Sequence, residues 1–362
     1  MPANKNQHYV PRCHLKPFSH DGDGQAIRLF NLASSRVIDD APVKNQCSKN
    51  YFYGKQLDVE KALGKLEGRY SDVVGRILLS PSALDDDDLN FLLDFTHLQF
   101  SRTESMVNSH IEMTDKLLAA VNDGNLGEQL EDSREQWESA RDAVKMFTDT
   151  IGAVRDLSPV IVQRTGRTPF ITSDDPATPV NRYYSQKRKD NGFGLVNSGL
   201  IFLLPLTPDF CFMAYDSDAY SLNGKRGFIV DASEPDVDII NSIQMISCSR
   251  NLYLPRCYDA SGLSEEMDRV APLRRQSRHS VQVLIPHKTK ANIFVRAEPE
   301  EVAASRKKFI ALSGEYPQPK NWPRLVSFRA SGFGYSDGSA AGVIRKGQRE
   351  TRNGGAYKKV YV

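Results

Sequence analysis

The sequence predicts an α+β fold, a bundle-like helical middle packed on a mostly antiparallel sheet. Three observations predict it. Apolar residues recur at helical steps through 57–157, strand-like runs crowd 158–216, and the strand–helix–strand alternation of a parallel sheet is missing. The 362 residues are expected to divide into a 1–258 core, helical over 57–157 and strand-rich over 158–258, and a basic 259–362 extension that is partly flexible.

Each element has a local reason. Residues 7–20 contain Pro11 and Pro17 and no helical period, so they read as an extended, partly buried lead. The apolar run Ala26–Leu32, the break at Ser34-Ser35 and Arg36-Val-Ile suggest a hairpin, which is expected to join the later sheet. Tyr51-Phe52-Tyr53 suits a core or a site wall. Val59, Leu63, Leu66, Tyr70, Val73 and Ile77 mark a helix over 57–79, ended by Pro81. Asp85–Asp88 form an acidic first turn for a second helix, favourable to its dipole. That helix carries Phe91, Phe95, Leu98 and Arg102 on one side and is expected to run on towards Val121. A further helix is expected over about 127–157, burying Trp137, Ala140, Val144 and Phe147. Pro159–Arg164 and Phe170–Ser173 look like paired strands. Gly199–Leu206 and Phe210–Tyr215 look like two more, joined by Thr207-Pro208-Asp209. Residues 234–252 return to a helical period, Ser280–Ile285 reads as a strand, and the glycine-rich 330–355 stretch is expected to be flexible or ordered only on a partner.

Composition excludes several classes. The hydrophobic share is 40% and the charged share 25%, which is globular rather than disordered or collagen-like. No run of 18 apolar residues exists and the first residues are polar, so no membrane span is expected and a cytoplasmic setting is the simplest expectation. The five cysteines are scattered and unpaired in spacing, which fits reduced thiols. The net charge of +2 is unevenly spread. Residues 84–157 hold 17 acidic and 6 basic side chains, residues 261–362 hold 9 acidic and 19 basic. A basic third of this kind suits a nucleic-acid partner. No P-loop, no dinucleotide fingerprint, no His-Glu-x-x-His and no nucleophile elbow is present, so no nucleotide cofactor is expected.

Several segments, taken in order and spacing, resemble a bacterial family known as domain of unknown function 4238. They are His8-Tyr9-Val10-Pro11-Arg12 with Leu15-Lys16-x-Phe18, then Tyr51-Phe52-Tyr53, the helix bearing Glu60 and Glu67, and Gln99-x-x-Arg102. Phe170-Ile-Thr-Ser-Asp-x-Pro176, the strand ending Pro205-Leu-Thr-Pro, and the Asn241 helix leading to Asn251-Leu-Tyr complete the set. The resemblance covers about 7–258. The family often has Ser-Asp-Asn-Pro where this chain has Ser173-Asp174-Asp175-Pro176. The family's name supplies positions rather than a reaction. Uncharacterised bacterial families of this sort keep company with toxins and host defence.

The candidate residues follow from their chemistry. His8 is a base that works near neutral pH. Glu67 borders the helical stripe, and Arg102 is placed to clamp a phosphate or carboxylate. Asp174 ends a strand, where polar groups often meet ligands. These four are the expected catalytic set. Glu60, Asp174 and Asp175 are the expected metal ligands for Mg²⁺ or Mn²⁺, which prefer carboxylate oxygen. Tyr9, Gln99, Arg182, Lys187 and Arg188 are the expected substrate contacts. His14, His20 and His97 are weaker candidates. The expected function is a metal-dependent hydrolase, foremost a nuclease acting on DNA or RNA. The alternative is a non-enzymatic module that binds nucleic acid or protein, the same polar residues forming a buried network.

Overall fold

The computed structural model describes residues 5–123, 135–189, 192–274, 279–289, 294–339, 341–350 and 356–362. The chain begins with a short strand, β1 (Asn6–His8), which enters a single helical turn, α1 (Arg12–Leu15), through Pro11. The buried Gln7 amide holds β1 in place. Its Nε2 donates to the Gly54 carbonyl at 3.0 Å and its Oε1 accepts from the Tyr53 amide at 2.6 Å. β2 (Ala26–Asn31) and β3 (Arg36–Pro42) form the expected hairpin, and β4 (Ser48–Asn50) pairs with β1, setting His8 opposite Ser48.

The helical middle follows. α2 (Asp58–Leu79) buries Leu63, Tyr70, Val73, Val74 and Ile77, the predicted stripe. α3 (Asp86–Ser101) starts on a capping box in which Asp85 accepts from the Asp88 amide at 2.8 Å and Asp88 answers the Asp85 amide. The helix stops at Arg102 and Thr103 rather than running on. Thr103 accepts from the Met106 amide and so starts α4 (Glu104–Asp123). α5 (Gln136–Thr150) is shorter than the 127–157 expected, of which 127–134 lie outside the described residues. Trp137, expected to be buried, is 39% exposed, its ring lying against Gly54, while Ala140 is sealed.

The strand-rich region contains β5 (Ser158–Arg164), β6 (Thr172–Ser173), β7 (Thr178–Asn181), β8 (Leu200–Pro205), β9 (Phe210–Tyr215), β10 (Tyr220–Leu222), β11 (Lys225–Arg226) and β12 (Ile229–Ala232). Then come α6 (Glu234–Ser247) and β13 (Asn251–Leu254). A six-stranded sheet runs β11-β12-β5-β9-β8-β7, antiparallel except for the parallel β12–β5 pair. A second sheet runs β3-β2-β13-β6. The segment Phe170–Ser173 therefore does not pair with Pro159–Arg164. Its strand, β6, pairs with β13, which falls in the tail of the stretch expected to be helical. The N-terminal hairpin joins that second sheet.

The alternation of strand side chains divides the core. Ile161, Phe202, Leu204 and Phe212 face α2 and α3, while Val160, Val162, Leu203 and Met213 face α6 and the segment around Trp322 and Leu325. The second sheet packs its Ile27 and Leu29 face on α2, α3 and α5. Its other face meets the end of α6 and a short helix, α7 (Leu263–Val270).

The C-terminal third adds β14 (His279–Pro286), β15 (Phe294–Arg296) and β16 (Phe309–Gly314) as a three-stranded sheet, then β17 (Val326–Phe328), which pairs with β10. A last hairpin joins β18 (Phe333–Ser336) to β19 (Lys358–Tyr361). Arg345 anchors part of the glycine-rich stretch expected to be flexible or ordered only on a partner; residues 340 and 351–355 of that stretch lie outside the described residues. Arg345 is 2% exposed, its Nε and Nη2 meet both oxygens of Asp156 at 3.0 and 2.8 Å, and its Nη1 meets the Leu195 and Asn197 carbonyls. Asp156, which is half-buried, ends the acidic middle, so this pair ties the two oppositely charged regions together.

Candidate functional site

A cleft of about 400 Å³ opens where β1, α1 and α2 meet. Its walls carry Asn6, His8, Arg12, Cys13, Glu60, Glu67, Gly68 and Ser71. The spacing explains this set. Asn6 and His8 are two apart on a strand and share a face. Glu60, Glu67 and Ser71 recur at steps of seven and four and share a face of α2. Pro11 turns the chain so that α1 presents Arg12 and Cys13 to the same opening.

One polar relay supports the cleft from behind. Arg102 has no solvent exposure. Its Nη1 donates to Glu67 Oε1 at 2.9 Å and its Nε to Gln99 Oε1 at 2.9 Å. Gln99 Nε2 in turn donates to the Tyr9 carbonyl at 2.9 Å. The relay thus fixes Glu67 on one side and the chain just after His8 on the other. The buried Tyr53 hydroxyl stands beside the same guanidinium and is held protonated by burial.

The groups facing the cleft are shifted in opposite directions. Burial lowers the His8 pKa, Arg12 adds to the effect, and the Lys44 carbonyl and Glu67 oppose it. The His8 Nε2 lies 3.3 Å from that carbonyl, which assigns the proton to Nε2 and the lone pair to Nδ1. Burial raises the Glu60 pKa, and the neighbouring Glu67 charge raises it further against the pull of Arg102. The Cys13 thiol is pushed up to about 12 by burial, so it is neutral and no nucleophile at neutral pH.

Other expected residues sit elsewhere. Asp174 does not line the cleft. It is buried where α6 passes into β13, and accepts from the backbone amides of Ser249, Arg250 and Asn251 at 2.8, 2.7 and 3.3 Å. Burial raises its pKa and those three amides pull it back. It is a clamp for a chain turn, not a catalytic group of the cleft. Asp175 accepts from the Thr103 hydroxyl at 3.0 Å, binding the same turn to the break between α3 and α4. The expected metal set Glu60, Asp174 and Asp175 is therefore divided between the cleft and this turn. Among the described residues no group of three or more His, Cys, Asp or Glu is arranged to hold an ion.

Tyr9 contributes its carbonyl to the relay, but its ring points away. Burial and the acidic neighbours Glu104 and Asp174 keep its hydroxyl protonated. Arg182 donates to the Val326 carbonyl at 2.5 Å and lies over Phe328, as Lys187 does. Arg188 lies over Tyr184. None of the three lines the cleft. His14 is sealed between the Tyr70 hydroxyl and Thr172 at 2.8 and 2.9 Å. Sequence reasoning missed Asn6, Arg12, Cys13 and Ser71 as cleft residues. Arg12 was within reach, since it closes the His8–Arg12 signature.

The division of roles has a measurable consequence. Asp174→Ala strips three amides of their acceptor in a dry site, and is expected to cost about 3 kcal/mol of unfolding free energy in urea melts. The chemical environment of His8 should stay as it is in that variant. A loss of less than about 0.5 kcal/mol would contradict the clamp.

No curated protein and no solved structure matches the chain. A family described as protein of unknown function, DUF4238, matches residues 6–255, which include every residue of the cleft and its relay. The chain belongs to the DUF4238 family.

Proposed function

We propose that the cleft is a hydrolytic site for phosphodiesters of DNA or RNA. The observation that carries this reading is the pairing of His8 and Glu60 in one solvent-reachable cleft, where burial lowers the pKa of the first and raises that of the second, drawing the two together. Two groups of similar proton affinity can each take up or give a proton, so one can serve as base and the other as acid. His8, neutral at pH 7, takes a proton from an attacking water. Glu60, its proton affinity raised by burial, returns one to the leaving oxygen. Arg12, at the mouth, meets the phosphoryl oxygens. Arg102 is sealed and touches no substrate; it positions Glu67.

Mg²⁺ or Mn²⁺ remains part of the proposal in altered form. Such ions need only one or two carboxylates and keep several waters, so Glu67 would hold one here in place of the dispersed set, leaving Glu60 to hand on its proton. Bound there, the ion would neutralise phosphoryl charge.

The test is incubation of the full chain with labelled single- and double-stranded DNA and RNA, with Mg²⁺, with Mn²⁺ and with chelator. Cleavage is expected, slowed about 100-fold or more in His8→Ala and in Glu60→Gln. Cleavage that persists unchanged in both variants overturns the reading. Binding without cleavage favours the alternative, a non-catalytic nucleic-acid module.

A further inference from the structure

The last hairpin presents an aromatic and basic face that the cleft does not use. In the β18–β19 register Phe333 stands opposite Tyr361 and Tyr335 opposite Lys359, so these four side chains share one face. The alternate positions point inward. Val360 packs against the core, and a Cβ at Gly334 would lie 2.2 Å from the Ser198 hydroxyl oxygen. Phe333, Tyr335, Lys359 and Tyr361 therefore form the outer face, and Tyr361 is 72% exposed. The cations belong to the same surface. Lys359 Nζ is 4.1 Å from the Phe333 ring centre and 5.6 Å from that of Tyr361, and the Arg349 guanidinium is 4.6 Å from that of Tyr335. Asp337, at the end of β18, turns its carboxylate to the Ser339 amide.

We propose that this face binds single-stranded nucleic acid, unpaired bases stacking on Tyr361 and Phe333 while Lys359 and Arg349 meet the phosphates. Three aromatic rings on one sheet face suit unstacked bases, which a duplex does not offer. The charge of the region complements a polyanion, since residues 261–362 hold 19 basic against 9 acidic side chains. The hairpin lies beyond residue 255, outside the part of the chain that matches the family. It stands apart from the hydrolytic reading of the cleft, and binding and cleavage assays fail independently.

The test is fluorescence anisotropy of the full chain with labelled RNA and DNA strands of about 20 nucleotides and the matching duplexes. Chelator is present, and salt is varied from about 50 to 200 mM. Single strands of at least one kind are expected to bind more tightly than duplex. Tyr361→Ala should weaken that binding about tenfold, Tyr361→Phe should stay within about twofold of wild type, and Lys359→Ala should flatten the salt dependence. Tyr361 is exposed, so these variants should unfold at the wild-type urea concentration. Absence of single-strand binding, preference for duplex, or equal binding by Tyr361→Ala and wild type would overturn the proposal.

Discussion

Replacing Arg102 with leucine is expected to lower the unfolding free energy by about 3–5 kcal/mol. The guanidinium has no solvent exposure and is the shared partner of Glu67 and Gln99. Leucine would leave the buried Gln99 amide short of a donor and Glu67 without its counter-charge. Glu67 is 28% exposed and recovers some hydration, so the lower end of the range is expected. Arg102→Lys keeps the charge but cannot span both acceptors, and should fall between the two. Urea melts of the three proteins decide the matter. A leucine variant within about 1 kcal/mol of wild type would show that the relay is dispensable.

Acidification should destabilise the fold through histidines that are buried neutral. Burial lowers the His14 pKa to about 3 and the His97 pKa to about 4, Asp94 opposing the latter shift weakly. The unfolded chain takes up these protons near 6.5, before the folded chain does. Stability is therefore complete above pH 6.5 and falls as pH drops towards the folded values, by up to about 1.4 kcal/mol per unit for each group. At pH 5 each histidine should have removed about 2 kcal/mol, so about 4 kcal/mol is lost relative to pH 8. The half-buried His110, lowered to about 4 by burial and by His279, acts in the same direction. Urea melts from pH 8 to pH 5 measure the slope, and His14→Gln should reduce it by one proton's worth. A stability that stays flat across this window would contradict neutral burial.

The parts of the fold that depend on local pattern were legible in the sequence. The α2 stripe, the acidic start of α3 and the hairpin of β8 and β9 about Thr207-Pro208-Asp209 are all set within a few residues. Distant pairing was not. Strand β6 is two residues long and finds β13 some eighty positions later, so nothing near it names its partner. The site divides in the same way. Glu60, Glu67 and Arg102 could be singled out because they flank apolar runs of helical period, and His8 because it opens the His8–Arg12 signature. Asp174 was expected beside His8 because a strand-end carboxylate looks the same whether it meets a ligand or backbone amides. The donors that claim it, the amides of residues 249–251, are main chain and leave no trace in residue identity. Arg345 was hidden likewise: its partners are Asp156 and three carbonyls, and a glycine-rich basic stretch gives no sign of a buried cation.

The central claim is that His8 shares one cleft with the carboxylates of α2, and a proton NMR titration of His8 tests it without any substrate. His8→Gln assigns the resonance by difference. In the wild-type chain His8 should titrate below 6.5, because burial and Arg12 outweigh Glu67 and the Lys44 carbonyl. Glu67→Gln removes a charge that favours the imidazolium and should lower the value further. A His8 that titrates at or above 6.5, and does not respond to Glu67→Gln, would contradict the account.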